Sequence, residues 1–269
     1  MWTMRSALVA AVSLALLGGP GGVAVAQGEE GEPVSIASEP WDLVWFSDSS
    51  GFNVARLWAA RIEEELGVEV RLHDHASSNL RAVDVLASLD EPTDGYSRLG
   101  DLRSEIAEAE IILIFGNPAD SGTTTDMESC VDTSTAPRDP PTRYSSEDLE
   151  PYRDALVSIY ERVFELVGDR PVIVRTIDWP NPFIVDWPLA GVEVECTAAW
   201  EAWSDSIADA AAGFGVPLVS MYDTFNGPDH TEDPRAKGYA GADGWHPSAA
   251  GREAMVAALH EAGYEPLYP

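Results

Sequence analysis

Five short apolar runs, at residues 43–46, 68–72, 111–115, 172–177 and 216–221, punctuate this chain of 269 residues, and the sequence between them has the period of helices. Residues 53–66 show it most clearly. Val54, Leu57, Trp58, Ile62 and Leu66 recur at three- and four-residue spacing, Arg61, Glu63, Glu64 and Glu65 lie opposite, and Gly67 supplies a C-terminal stop. Further helices are expected at residues 79–89, 102–108, 146–167, 197–212 and 247–262. Strands that alternate with helices argue for a parallel sheet covered on both faces. Right-handed crossovers then restrict the chain to a single-domain α/β fold, a doubly wound, five-stranded parallel sheet with helices on both faces. In such a sheet, ligands bind at the carboxyl ends of the strands.

The folded domain is expected at residues 41–269. Met1 to Arg5 carries one positive charge, an almost unbroken apolar run follows from Ser6 to Leu17, and Ala24-Val25-Ala26 offers a cleavage site between small residues. Residues 1–26 therefore read as a secretory signal peptide, and the acidic, glycine-containing stretch at 27–40 as a flexible leader. The apolar run is shorter than the roughly 18 residues that a membrane helix requires, and no later segment approaches that length. The expected product is secreted and extracellular, without stable membrane insertion.

With 46 acidic against 16 basic residues, the chain has a formal charge of −30. Such a charge repels phosphate backbones and anionic lipid surfaces, which argues against nucleic acid as a partner. Composition does not specify the oligomeric state. In an exported chain, Cys130 and Cys196 read as a disulfide closing a 66-residue loop, worth about 4 kcal/mol through the entropy of the unfolded chain. Both stand in loop-like sequence, and neither has the close Cys or His partners that a metal site requires.

The polar residues that fall just after the expected strands share one edge of the sheet. Ser49 follows the first strand by three residues; His73, His75, Ser77 and Ser78 follow the second; Asn117 and Asp120 follow the third; Asp243 and His246 lie in the long segment after the fifth. Asp243 stands three residues before His246, in a loop that runs into a helix. At that spacing its carboxylate can turn onto the imidazole Nδ1 and fix the tautomer, leaving Nε2 to face a nucleophile. Ser49 is the nucleophile that the fold would bring there, so the parts of a serine hydrolase come from opposite ends of the chain. Each residue also has a plainer role: Ser49 in a polar turn, Asp48 as a helix cap, Asn117-Pro118 as a turn and His246 as the residue before a helix.

Three blocks, Phe46-Ser47-Asp48-Ser49, Ile114-Phe115-Gly116-Asn117-Pro118 and Asp243-Gly244-Trp245-His246-Pro247, occur in the order found in the GDSL or SGNH hydrolases, and the chain resembles that family along most of Trp41 to Tyr264. The family usually has Gly-Asp-Ser in the first block and Gly-x-Asn-Asp in the second, so Ser47 and Pro118 are departures. The resemblance implies a flavodoxin-like SGNH hydrolase fold and a serine esterase or lipase-like enzyme with no cofactor and no metal. Its catalytic residues would be Ser49, Asp243 and His246, and its oxyanion hole the backbone N–H of Ser49 with the side-chain amide of Asn117. The family's third donor is the backbone N–H of a glycine after the second strand. No glycine stands between Gly67 and Gly95; the nearest equivalent positions are Ser77 and Ser78, of which Ser78 is the preferred donor. The implied substrate is a small-molecule or glycan ester, including the O-acetyl groups of carbohydrates.

An ordinary α/β-hydrolase elbow fits less well, because Ser49 follows the first strand and its motif lacks the first glycine of Gly-x-Ser-x-Gly. A catalytically silent extracellular carbohydrate- or ligand-binding protein on the same fold is the alternative from another class. His73-Asp74-His75 would put two rings on one face, where they could share a metal, but the remaining candidate ligands serve the triad, and shaping the site wall is the preferred role. Trp179, Trp187, Trp200, Trp203 and Trp245 read first as packing and second as platforms for sugar rings. Residues 177–183 are expected to line the site, and residues 117–145 to form a lid anchored at Cys130.

Overall fold

The computed structural model describes residues 39–78, 80–90, 99–115 and 149–268. All five expected strands are present: β1 (Trp41–Phe46), β2 (Val70–Asp74), β3 (Ile111–Ile114), β4 (Ile173–Ile177) and β5 (Leu218–Val219). They form one sheet in the order β2-β1-β3-β4-β5, parallel throughout. This is the flavodoxin-like order, with its switch point between β1 and β3. The helices are α1 (Val54–Leu66), α2 (Ala82–Asp90), α3 (Leu102–Glu108), α4 (Glu150–Val167), α5 (Asp186–Ala190), α6 (Glu193–Ala212), α7 (Met221–Asn226) and α8 (Ala249–Glu261).

The two-residue period of the strands assigns their side chains to two cores. Leu43, Trp45, Ile111, Leu113 and Ile173 face α1 and α8, where Trp58, Ile62, Met255 and Leu259 complete the packing. Val44, Phe46, Ile112, Ile114 and Val174 face the other way, against α2, α3, α4 and α6. Trp45 and Trp58 are fully buried and meet edge to face, with ring centroids 6.4 Å apart. Burying a large apolar side chain contributes about 2–3 kcal/mol, so removing either ring would empty the layer between β1 and α1. Arg175 is buried on β4 and donates to the carbonyls of Ala262 and Gly263, which tethers the C-terminal end of α8 to the sheet.

Some elements depart from the sequence expectation, each for a local reason. The run at 216–221 yields a strand of only Leu218 and Val219, because Met221 opens α7. The buried carboxylate of Asp178 accepts the N–H groups of Met221 and Tyr222 at 2.6 and 3.0 Å, and Ser220 Oγ accepts that of Asp223 at 3.0 Å. These bonds cap a helix where a strand would otherwise continue. Burial pushes the Asp178 carboxyl up from its ordinary value, while the hydroxyls of Ser204 and Ser220 and the two backbone donors pull it down. Cys196 does not stand in a loop: α6 begins at Glu193 and buries it. Cys130, its expected partner, lies outside the described residues, as do the expected signal peptide and lid. Among the described residues, no helix is long and apolar enough to cross a membrane.

Candidate active site

After β1, buried polar contacts build the turn that presents Ser49. Ser47 is completely buried; its Oγ accepts the indole N–H of Trp45 at 2.8 Å and donates to the Asp48 carbonyl at 3.0 Å. Asp48 caps the single 3-10 turn at Ser49–Gly51 by accepting the Ser50 N–H at 2.9 Å. Gly51 is required by close approach, since a Cβ there would lie 2.0 Å from Ser47 Oγ. Asn53 then takes a left-handed conformation, φ 67°, before α1 begins, which Asn tolerates better than most L-residues. Ser49 opens the 3-10 turn, where a backbone N–H has no intrahelical acceptor.

The histidine arrives from a loop closed by an antiparallel bridge between Ala240 and Pro247. Gly241 N–H donates to the His246 carbonyl at 2.7 Å, and Gly244 at φ 72° makes the turn between them. Asp243 Oδ1 accepts the N–H groups of Trp245 and His246 at 2.9 and 3.0 Å, while Oδ2 lies 2.7 Å from His246 Nδ1. The Trp245 N–H, and next the His246 ring, hold the Asp243 carboxyl down at about 2. His246 Nε2 is 3.0 Å from Ser49 Oγ, across 197 residues of sequence. The three expected residues thus form one hydrogen-bonded line. The Asp243 and His246 side chains are 53% and 39% exposed, so water screens their attraction, and the carboxylate acts chiefly by fixing the orientation and tautomer of the ring.

Ser49 and His246 open onto a cavity of about 550 Å³, walled also by Ser50, Phe52, Asn53, Ser78, Trp245, Pro247 and Arg252. Of the two serines after β2, Ser77 commits its N–H to the Ser47 carbonyl at 2.9 Å, and Ser78 reaches the cavity wall. Asn117 and Asp120 lie outside the described residues. Among the described residues, no group of three His, Cys, Asp or Glu is arranged to hold a metal. Ser47, Phe52, Asn53 and Arg252 are absent from the sequence-derived set. Ser47 carries a faint signal, a tryptophan two residues earlier whose indole needs an acceptor when buried. Arg252 carries another, a cation in the first turn of a helix, where the dipole disfavours it.

His73 proves to be a β2 residue, and the rings of His73 and His75 share a carboxylate. His73 Nε2 meets Asp42 at 2.8 Å and its Nδ1 meets Glu105 at 3.1 Å, while His75 Nε2 pairs with the other Glu105 oxygen. Glu105 thereby ties α3 to the end of β2, just before the loop that carries Ser77 and Ser78. Trp187, Trp200 and Trp203 are buried, as the packing reading expects. Trp245 does reach the cavity. The segment 177–183 packs beneath the site: Asp178, Asn181 and Phe183 are buried, and Trp179 meets Trp245 edge to face at 5.4 Å.

No family model and no curated protein matches the chain. Solved structures do match. The lipase Lip_vut3 from a goat rumen metagenome superposes with a TM-score of 0.61 at 21% identity, over 84% of this chain and 99% of that one. Phospholipase A1 from Streptomyces albidoflavus gives 0.56 at 15% identity, over 84% and 100% of the two chains. An acetyl xylan esterase from Geobacillus stearothermophilus, Axe2, gives 0.56 at 15% identity, over 84% and 95%. Sheet order and superpositions agree: the chain has the flavodoxin-like α/β fold of the SGNH hydrolases.

Proposed function

We propose that this chain is a secreted serine hydrolase that cleaves carboxylic esters through Ser49, His246 and Asp243. The observation that carries the proposal is the line of hydrogen bonds from Asp243 through His246 to Ser49, 2.7 and 3.0 Å long, at the mouth of a cavity. With Nδ1–H donated to Asp243, His246 Nε2 takes the Ser49 proton as Oγ attacks the ester carbonyl. The tetrahedral oxyanion is met by the Ser49 N–H, with the Ser78 N–H and the Asn117 amide as further donors. His246 then returns the proton to the leaving alcohol, and water repeats the cycle on the acyl-enzyme. That solved structures of this fold carry the names lipase, phospholipase A1 and acetyl xylan esterase supports ester cleavage. Carbohydrate O-acetyl esters and lipase-like substrates are the classes to test first. Export through residues 1–26 and a Cys130–Cys196 disulfide belong to the same proposal.

The test is hydrolysis of p-nitrophenyl acetate, butyrate and octanoate by the chain from Gln27, beside Ser49→Ala. Turnover that disappears in the variant, with fluorophosphonate labelling of Ser49, is the expected result. A folded protein with neither turnover nor labelling would sink the proposal and return the crevice to ligand binding.

A further inference from the structure

We propose that Arg252 forms an anion subsite on the leaving-group side of the cavity, so that the favoured substrates are esters whose alcohol portion carries a carboxylate or a phosphate. This rests on the esterase reading and adds a substrate class to it.

Arg252 lines the cavity with Ser49 and His246, and none of the described residues on that wall is an Asp or Glu. The chain has 46 acidic residues, and Arg61, Arg71, Arg81, Arg162, Arg170 and Arg235 each pair with a carboxylate. Arg252 forms no ion pair among the described residues. Its one side-chain hydrogen bond there runs from Nη1 to the Pro247 carbonyl at 2.8 Å, which fixes the guanidinium beside the histidine loop and leaves its other donors for a ligand. The position is poor for stability, because a cation in the first turn of α8 opposes the helix dipole. A guanidinium matches the two oxygens of a carboxylate or phosphate, and it does so where the rest of this acidic surface repels anions.

The side of the cavity follows from the chemistry. His246 Nε2 must reach the leaving oxygen to protonate it, so the alcohol portion lies toward His246. Trp245 and Pro247 flank His246 in the chain and line the same cavity, and the bond from Arg252 to the Pro247 carbonyl places the guanidinium on that side.

The test compares meta-acetoxybenzoate and meta-acetoxyphenyl phosphate with phenyl acetate, using the wild type, Arg252→Gln and Arg252→Lys. Arg252→Gln should lower the ratio of kcat/KM for charged over neutral ester by about tenfold or more, mainly through KM, as charge-assisted hydrogen bonds are lost. Arg252→Lys should restore part of that ratio, and the two charged esters show which anion is preferred. A ratio that does not move, whatever happens to the absolute rates, overturns the subsite and leaves Arg252 as a prop for the His246 loop. Monophenyl succinate carries its carboxylate on the acyl side; an equal ratio change there overturns the leaving-group placement. Calorimetric binding of meta-hydroxybenzoate relative to phenol reads the subsite without turnover, so a chain that hydrolyses no ester still tests it. Weaker binding of the carboxylate by Arg252→Gln is expected, and equal binding overturns the proposal.

Discussion

Ser47→Ala isolates what a single buried hydroxyl does for the nucleophile turn. Ser47 and Trp45 are both 0% exposed, and Ser47 Oγ is the acceptor 2.8 Å from the Trp45 indole nitrogen. Deleting Oγ leaves that N–H buried without an acceptor, at a cost of about 1–3 kcal/mol. The Asp48 carbonyl suffers less, because it also accepts the Gly51 N–H at 3.2 Å. For a central loss of about 2 kcal/mol in a domain of this size, Tm should fall by roughly 4–8 °C. The assay is urea and thermal unfolding of the wild type, Ser47→Ala, Trp45→Phe and the double variant. Trp45→Phe removes the donor, so in its background Ser47→Ala should cost at least about 1 kcal/mol less than it does alone. A Ser47→Ala variant within about 0.5 kcal/mol of wild type, or a cycle with no coupling, would refute the pairing. A glycine at this position would orphan the same indole, so Ser47 and Trp45 form a matched pair.

Glu105→Ala should destabilise the chain by about 1–2 kcal/mol in urea, because His73 and His75 lose a shared acceptor and α3 loses its hold on the end of β2. Asp243 is held at about 2, below its ordinary 3.8, so its contribution to stability is fully present above the ordinary value and lost as pH falls through about 2. The stability gap between wild type and Asp243→Asn should therefore be flat near neutral pH and shrink between about pH 4 and 2, as unfolding curves at stepped pH would show. Above that window Asp243 remains ionised, so its hold on the His246 ring should be complete through neutral pH. The intact chain should show no alkylatable thiol when unfolded without reductant, and reduction should lower its stability by up to about 4 kcal/mol.

The sheet was legible because each strand falls in a short run rich in apolar and β-branched residues, and α1 because its period coincides with a glycine stop. The short elements were not. α7 depends on the Asp178 carboxylate, which comes from 43 residues earlier and has no local signature. The triad was legible for a different reason: the Asp243–His246 half is local, three residues apart, and the topology delivers Ser49 to it. The wall of the cavity was not, because Phe52, Asn53 and Arg252 reach it from the starts of two helices that meet only in the folded chain. The expectation for residues 177–183 failed because following a strand does not decide which way a loop turns. Here the Asn181 N–H donates to Asn226 Oδ1 at 2.9 Å, and the segment is drawn inward.

Asp243 has two separable duties, and Asp243→Asn tells them apart. Its Oδ1 holds the loop by accepting the Trp245 and His246 N–H groups, while Oδ2 faces Nδ1 of the ring. An amide can keep the first duty, since its carbonyl oxygen takes the place of Oδ1. The same two backbone donors forbid the flipped amide, which would set NH₂ against N–H. The amide NH₂ must then face Nδ1, and the ring can accept that bond only by carrying its proton on Nε2. In this tautomer His246 cannot take the Ser49 proton. The turnover rate should fall by about 10,000-fold, as the loss of the right tautomer costs in serine proteases, while Tm should fall less than in Asp243→Ala. Asp243→Ala removes the loop contacts as well and should lose both activity and stability. If Asp243→Asn retains activity within about tenfold of wild type, the carboxylate does not set the tautomer. If it unfolds as easily as Asp243→Ala, the loop is held by the charge of Asp243, and the division of labour between its two oxygens is wrong.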